Sequence, residues 1–172
     1  MNGTWLRRLG GLGVAGAVFA LDQWVKWLVV IKLDLIHLNV IEVAPNFDLR
    51  WAQNYGVSFS MLTANSVEMR WLLVLLTGVI ALGVLVWMMR EKALADIAAL
   101  GLVLGGALGN IRDRAMLGFV VDYADLHFGE FRPFQIFNLA DAAISIGVVI
   151  ILARSFLSRE KRGQDETGGQ TA

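Results

Sequence analysis

The sequence predicts a mainly α-helical membrane protein of four transmembrane spans, with a small strand-rich flap between the first two. Three observations predict it. Of 172 residues, 56% are hydrophobic and only 17% charged, and the apolar residues come in runs of membrane length. Those runs lie near residues 9–30, 71–89, 95–111 and 137–156, each long enough to cross a core about 30 Å thick at about 1.5 Å per residue. Residues 32–69 instead alternate polar and apolar in pieces such as HLNVIEV and FDLRWAQ, the period of a half-buried strand.

Each element follows from local signals. Arg7 and Arg8 followed by GGLGVAGAVFA resemble a secretory signal ending in a VFA cleavage site. The apolar run continues through LDQWVKWLVVI, however, which favours an uncleaved first span. Within the flap, Pro45-Asn46 marks a turn. The third span is the shortest, and its glycines suit close helix packing better than lipid exposure. Residues 115–136, with their aromatics, His127, Gly129 and Pro133, predict an irregular or short helical connection. The single membrane domain ends near residue 156, and SREKRGQDETGGQTA predicts a disordered cytoplasmic tail over 157–172.

Four spans place both termini on one side. That side and the Arg90–Lys92 turn hold Arg7, Arg8, Arg90, Lys92, Arg154, Arg159, Lys161 and Arg162, against seven basic residues on the other. The short turn and the tails are the stretches on which positive charge sets orientation, so both termini are expected in the cytoplasm.

Composition excludes several functions. With 15 basic and 15 acidic residues the formal charge is zero, which argues against a nucleic-acid partner. There is no cysteine, hence no disulfide and no thiolate chemistry. His37 and His127 are far apart in sequence and lack ligand spacing, so neither a metal site nor a cofactor is expected.

The polar residues inside apolar segments carry the functional signal. Asp141 lies in FNLADAAISIGVVIILA, and a carboxylate near a bilayer centre costs about 2.5 to 3.5 kcal/mol. Asn138 stands three residues before it, on the same helical face. Asp122 and Asp125 lie upstream in VVDYADLH, and Asp125 is the better candidate for a solvated interface acid. Asp22 and Lys26 are i,i+4 neighbours, either an interfacial ion pair with Lys26 snorkelling or a brace for a polar site. Asn54-Tyr55-Gly56 is a turn signal by itself. In GGALGNIRDR, Asn110, Asp113 and Arg114 face one way from a helix end. They are either a polar helix end, with Asp113 paired to Arg112 or Arg114, or a wall positioning acids elsewhere.

Two carboxylates sharing a site cannot both ionise cheaply, so one keeps a proton. Such a pair activates water with one member and protonates a leaving amine with the other, without a serine nucleophile or a metal. Nearby Asn and Arg groups would orient the water or hydrogen-bond the oxyanion. Ser58, Ser60 and Ser145 lack a histidine or lysine at evident reach.

At these residues the chain resembles the lipoprotein signal peptidase (signal peptidase II) family of bacterial intramembrane aspartic proteases. The resemblance covers about residues 15–150 and rests on LDQWVK, NYGVSFSML, GGALGNIRDR, VVDYAD and FNLADAAISIG, in the family's order and spacing. It implies four transmembrane helices with a small extracytoplasmic β-cradle and a short periplasmic helix. Asp122 and Asp141 are then the catalytic pair, and Asp22, Lys26, Asn54, Gly56, Asn110, Asp113, Arg114 and Asn138 form the supporting set. The implied substrate is a diacylglyceryl-modified prolipoprotein cut just before its lipidated cysteine, and the implied inhibitor is globomycin. The implied enzyme is a monomer in the inner membrane, surrounded by lipid, with its site near the periplasmic face.

There are departures. Gln135 stands where the family usually has proline, with Pro133 displaced upstream. Val57 and Ser58 replace small alanines after Gly56, and Val25 takes a place often held by Ser or Thr. None touches the two carboxylates. A proton-coupled transporter or channel is the alternative, since intramembrane acids also mark proton relays, although four spans are few and no inverted repeat is visible. A small assembly factor, with polar faces that bind partner helices, is a third reading.

Overall fold

A computed structural model of the chain describes residues 3–56 and 67–168, with side chains described over 4–56 and 67–157. Among the described residues four helices are long and apolar enough to cross a membrane: Thr4–Lys32, Val67–Arg90, Leu94–Leu117 and Leu139–Leu157. The elements in order are α1 (Gly3–Trp27), a π-helical turn (Leu28–Lys32), α2 (Leu35–Leu38), β1 (Val40–Ala44), β2 (Phe47–Asn54), α3 (Val67–Arg90), α4 (Leu94–Leu117), β3 (Val120–Leu126) and α5 (Leu139–Gly168). The motif residues Val57, Ser58 and Ser60 lie outside the described residues.

Helix α4 is the axis of the bundle. It packs against α1, α3 and α5, and half of its apolar window is buried, against 11% in α3. The GGALG run explains why. A Cβ on Gly105 would stand 2.5 Å from the Ala15 carbonyl of α1, and one on Gly106 would strike the Ala140 carbonyl of α5. Glycine there lets two backbones reach α4 on adjacent faces. Helix α3 carries exposed Leu72, Leu75, Leu76 and Val79, a surface suited to lipid. A tight turn joins α3 to α4, where Glu91 accepts the amides of Lys92 at 2.7 Å and Ala93 at 3.0 Å.

The opposite end of the bundle carries a three-stranded antiparallel sheet in the order β1-β2-β3. Its core is Val29, Leu35, Val121, Tyr123 and Ala124. Residues 32–69 supply two strands, as their alternation predicts. The third comes from 115–136, where the sequence predicts an irregular or short helical connection. The reason is that VVDYADL is buried almost throughout, so β3 reads as a continuous apolar run with acids rather than as an alternating strand. Among the described residues a short helix lies earlier in the chain, at α2, between Asp34 and Asn39, both at positive φ.

A register shift in β2 decides which side chains share a face of the sheet. Leu49 pairs with Ala124 and Ala52 with Asp122, so Arg50 and Trp51 together oppose Tyr123. This bulge flips the parity of β2. Asp48 and Arg50 therefore share a face with Asp125, while Ala52 and Asn54 share the other face with Asp122.

Helix α5 runs on to Gly168, beyond the point where composition predicts a disordered tail. Arg, Lys, Glu and Gln in that stretch are strong helix formers, and extending an existing helix needs no new nucleus.

Candidate active site

The start of α5 is built as a capping box. Asn138 precedes the helix; its Oδ1 accepts the Asp141 amide at 3.0 Å, while Asp141 Oδ2 accepts the Asn138 amide at 3.2 Å. The two intervening amides are also taken. Leu139 N donates to the Tyr123 hydroxyl at 3.2 Å, and Ala140 N donates to Asp22 Oδ1 at 3.1 Å. Three orphan donors of this helix end are thus satisfied by side chains, one from the cap itself and two from β3 and α1. The arrangement corrects the sequence reading of Asp141. It lies in the first turn of α5, where the helix dipole favours a carboxylate, and not near the middle of a span.

Two amides join Asp141 to Asp122. Asn138 Nδ2 donates to Asp122 Oδ1 at 2.6 Å and stands 3.3 Å from Asn110 Oδ1. Asn110 Nδ2 donates to Asp141 Oδ1 at 2.8 Å. Asn54, at the end of β2, adds a hydrogen bond to Asp122. Its side chain also accepts the Gly56 amide at 2.8 Å, closing a turn in which Gly56 has φ of +82°. Only glycine adopts that conformation without strain, and a Cβ would stand 3.4 Å from the Arg114 guanidinium.

Beneath this pair lies a buried charge network between α1 and α4. Lys26 Nζ pairs with Asp22 at 2.9 Å and Asp113 at 2.7 Å, and reaches Asn110 Oδ1 at 3.4 Å. Lys26 is 4% exposed, so it is inserted into the site and does not snorkel. Asp113 pairs with Lys26 and accepts the Val121 amide at 3.3 Å, which anchors β3 to α4. The arginines that its sequence neighbours suggest as partners are placed elsewhere; Arg112 donates to Gln23. Gln23 in turn donates to Asp22 at 3.0 Å and Asp113 at 3.1 Å. Sequence reasoning missed Gln23 and Tyr123. The signal for Gln23 was a polar side chain beside Asp22 in an apolar span; Tyr123 gave none.

Burial, followed by the charge of Asp141, pushes Asp122 up to about 6. Burial likewise raises the Tyr123 phenol. Asp125 is the contrary case. The sequence makes it the better candidate for a solvated interface acid, yet it has no exposed surface, and Arg50 and Arg132 donate to it at 2.9 and 3.2 Å. Burial alone would raise Asp125, but these two hydrogen bonds hold it below the usual carboxylate range.

Two openings reach the carboxylates. A cleft of about 690 Å³ is lined by Asn54, Gly56, Asp122, Arg132, Phe134 and Gln135. A smaller groove of about 280 Å³ is lined by Phe134, Phe137, Asp141, Ser145 and Ile146. The first is mixed in polarity, and the second is apolar apart from Asp141 and Ser145.

Fold and site together define an integral membrane protein that holds two amide-linked carboxylates at the sheet-bearing end of a helical bundle. The comparisons narrow that class. A family model described as signal peptidase (SPase) II matches residues 14–157, and the chain belongs to that peptidase family. It is 52% identical over 154 residues to the lipoprotein signal peptidase of Sphingopyxis alaskensis, covering 90% of this chain and 89% of that one. The lipoprotein signal peptidase of Acinetobacter baylyi is 34% identical over 155 residues, covering 89% and 85%. A solved bacterial membrane enzyme aligns at a TM-score of 0.71 with 28% identity, over 84% of this chain and 91% of that structure.

Proposed function

We propose that the chain is an aspartic endopeptidase that removes the signal peptide from diacylglyceryl-modified prolipoproteins, cutting before the lipidated cysteine. The observation that carries this reading is the Asp122–Asn138–Asn110–Asp141 chain of hydrogen bonds, which ties two acids into one unit. One ionised carboxylate takes a proton from water as the oxygen attacks the scissile carbonyl. The neutral carboxyl protonates the carbonyl oxygen, giving a tetrahedral diol. Its collapse breaks the C–N bond, and the proton passes to the leaving amine. Asp122, with its affinity for a proton raised toward neutrality, suits the neutral role at the outset. Asn54 lines the larger cleft and Arg114 stands behind Gly56 of its wall, so both suit hydrogen bonds to peptide carbonyls.

The substrate is amphiphilic, and so is the surface around the acids. The apolar groove beside Asp141 suits acyl chains, while the cleft beside Asp122 suits peptide. Both termini lie in the cytoplasm and the sheet lies on the periplasmic side, in a monomer surrounded by inner-membrane lipid. The test is conversion of a diacylated prolipoprotein by the purified protein in detergent, read by gel shift. Asp141→Asn should leave the substrate uncut; full conversion by that variant removes Asp141 from the reaction.

A further inference from the structure

The bulge in β2 turns a second set of charges to the face of the sheet opposite Asp122. Glu42 pairs with Asp48 across β1 and β2, and Asp48 pairs with Asp125 across β2 and β3. Three acids directly opposite one another destabilise a sheet unless cations stand among them. Arg50 and Arg132 supply part of that charge. Both reach Asp125 Oδ2, and Arg50 stands 3.9 Å from Asp48. Their reach ends there. Asp125 Oδ1, in a residue with no exposed surface, has no hydrogen-bond partner among the described residues. Nδ1 of His127 is also buried and without a hydrogen bond, 3.8 Å from Asp48 Oδ2. One ligand atom from each of Asp48, Asp125 and His127 lies within 4.8 Å of the others.

We propose that Asp48, Asp125 and His127 form a divalent-metal site on the face of the sheet turned away from Asp122. An imidazole with two carboxylates is the donor set of a borderline cation such as Zn²⁺ or Mn²⁺, rather than of Ca²⁺ or Mg²⁺. Tetrahedral ligands at about 2.0 to 2.2 Å from the ion lie about 3.4 Å apart, so the trio must close by at most about 1.4 Å. Glu42, Asp48 and His127 line a cleft of about 540 Å³ that gives the ion an entrance and room for a water ligand. The charges agree: three acids against two arginines leave one negative charge, which a divalent ion reverses rather than deepens. A bound ion would clip β2 to β3 at the root of the segment that leads to Asn138. The sequence hid this site because Asp48 of β2 is about 77 residues from Asp125 of β3 and from His127 just after it, and only strand pairing brings them together.

The test uses tag-free, full-length protein in detergent, stripped with chelator and titrated with ZnCl₂. Metal is counted after dialysis, and thermal unfolding is followed with and without the ion. One Zn²⁺ per chain and a raised Tm are expected. Asp48→Asn and His127→Ala leave the Asp125–arginine contacts in place, and each should weaken Zn²⁺ binding by at least the roughly 10–100-fold that loss of an outer-shell partner costs. Asp122→Asn and His37→Ala should each retain one ion per chain. Absence of stoichiometric binding overturns the proposal, as does binding unaltered in both Asp48→Asn and His127→Ala. Loss of the ion in Asp122→Asn or His37→Ala overturns it too, by placing the ion elsewhere.

Discussion

Asp122 and Asp125 are three residues apart on β3, both buried, and kept in opposite company. Asp122 is held by the amides of Asn138 and Asn54 and shares its site with Asp141; Asp125 is held by two guanidinium groups. The first acid is pushed up to about 6 and the second is held below its usual range. Burial is common to both, so burial does not decide the outcome. Neutral donors orient a carboxylate without fully stabilising its charge, whereas cations do both. A site that must exchange protons near neutrality uses amides, and a site that must stay ionised uses arginine.

The largest expected effect separates the two acids by function. Asp122→Asn and Asp141→Asn should each lower the rate of prolipoprotein cleavage on the order of 10³-fold or more, because each removes one half of the proposed acid–base pair. Asp125→Asn should stay within about tenfold of wild type per folded molecule, since it supplies no group to that pair. Comparable losses in Asp122→Asn and Asp125→Asn, measured as single-turnover rates, would abolish the distinction. Next in size is Asn138→Ala, which deletes the donor to Asp122 and opens the capping box. We expect a fall of about 10²-fold in rate, together with about 1 kcal/mol of stability from the lost cap. Retention of full rate with only the stability loss would reduce Asn138 to a cap.

The third effect is on stability against pH. Asp122 binds its proton more tightly when folded, with a pKa of about 6 against an ordinary value of 3.8. Over that interval the folded state therefore holds more protons than the unfolded state, and stability falls as pH rises. Relative to Asp122→Asn, wild type should lose up to about 3 kcal/mol between about pH 4 and pH 7, at about 1.36 kcal/mol per unit. Asp125 has the opposite sign. Its folded pKa is depressed, so its contribution is present above the unfolded value and lost as pH falls through the folded one. Thermal unfolding of wild type, Asp122→Asn and Asp125→Asn across this range reads both slopes, and slopes of equal sign would contradict the comparison.

Much of this site was legible in the sequence, and the reason is local. Asp22 with Lys26, and Asn110 with Asp113, sit at helical spacings in spans where polar groups are conspicuous, and all four enter one buried network. Asn138 and Asp141 were visible by the same logic, although their i,i+3 relation turned out to be a cap and its third residue rather than one face of a lipid-buried helix. What was not legible depends on pairing between distant segments. Strand β3 was hidden because a strand buried on both sides does not alternate, and acids inside it resemble loop polarity. The bulge between Leu49 and Ala52 was hidden because register is set by packing of a strand some seventy residues away. Without that one-residue shift Asn54 would face Asp125's side of the sheet, and the two acids could not have been told apart by partner.

The smallest expected effects belong to the arginines that distinguish Asp125. Arg50 and Arg132 have side chains 36% and 43% exposed, and both donate to a carboxylate with no exposed surface. Water screens the cations, and each arginine leaves the other in place. Arg132→Gln should therefore cost about 0.5 kcal/mol and Arg50→Gln up to about 1 kcal/mol, with the larger value following the shorter contact and the nearness of Asp48. The Asp122 titration should be unmoved in both, because neither arginine is among the groups that set it. A loss of several kcal/mol from one arginine, read as the shift in unfolding midpoint, would mean that Asp125 depends on a single cation. A shift in the Asp122 slope would mean that the two faces of the sheet are coupled. Either result would replace the picture of two insulated acids with one of a single charge network running through β3.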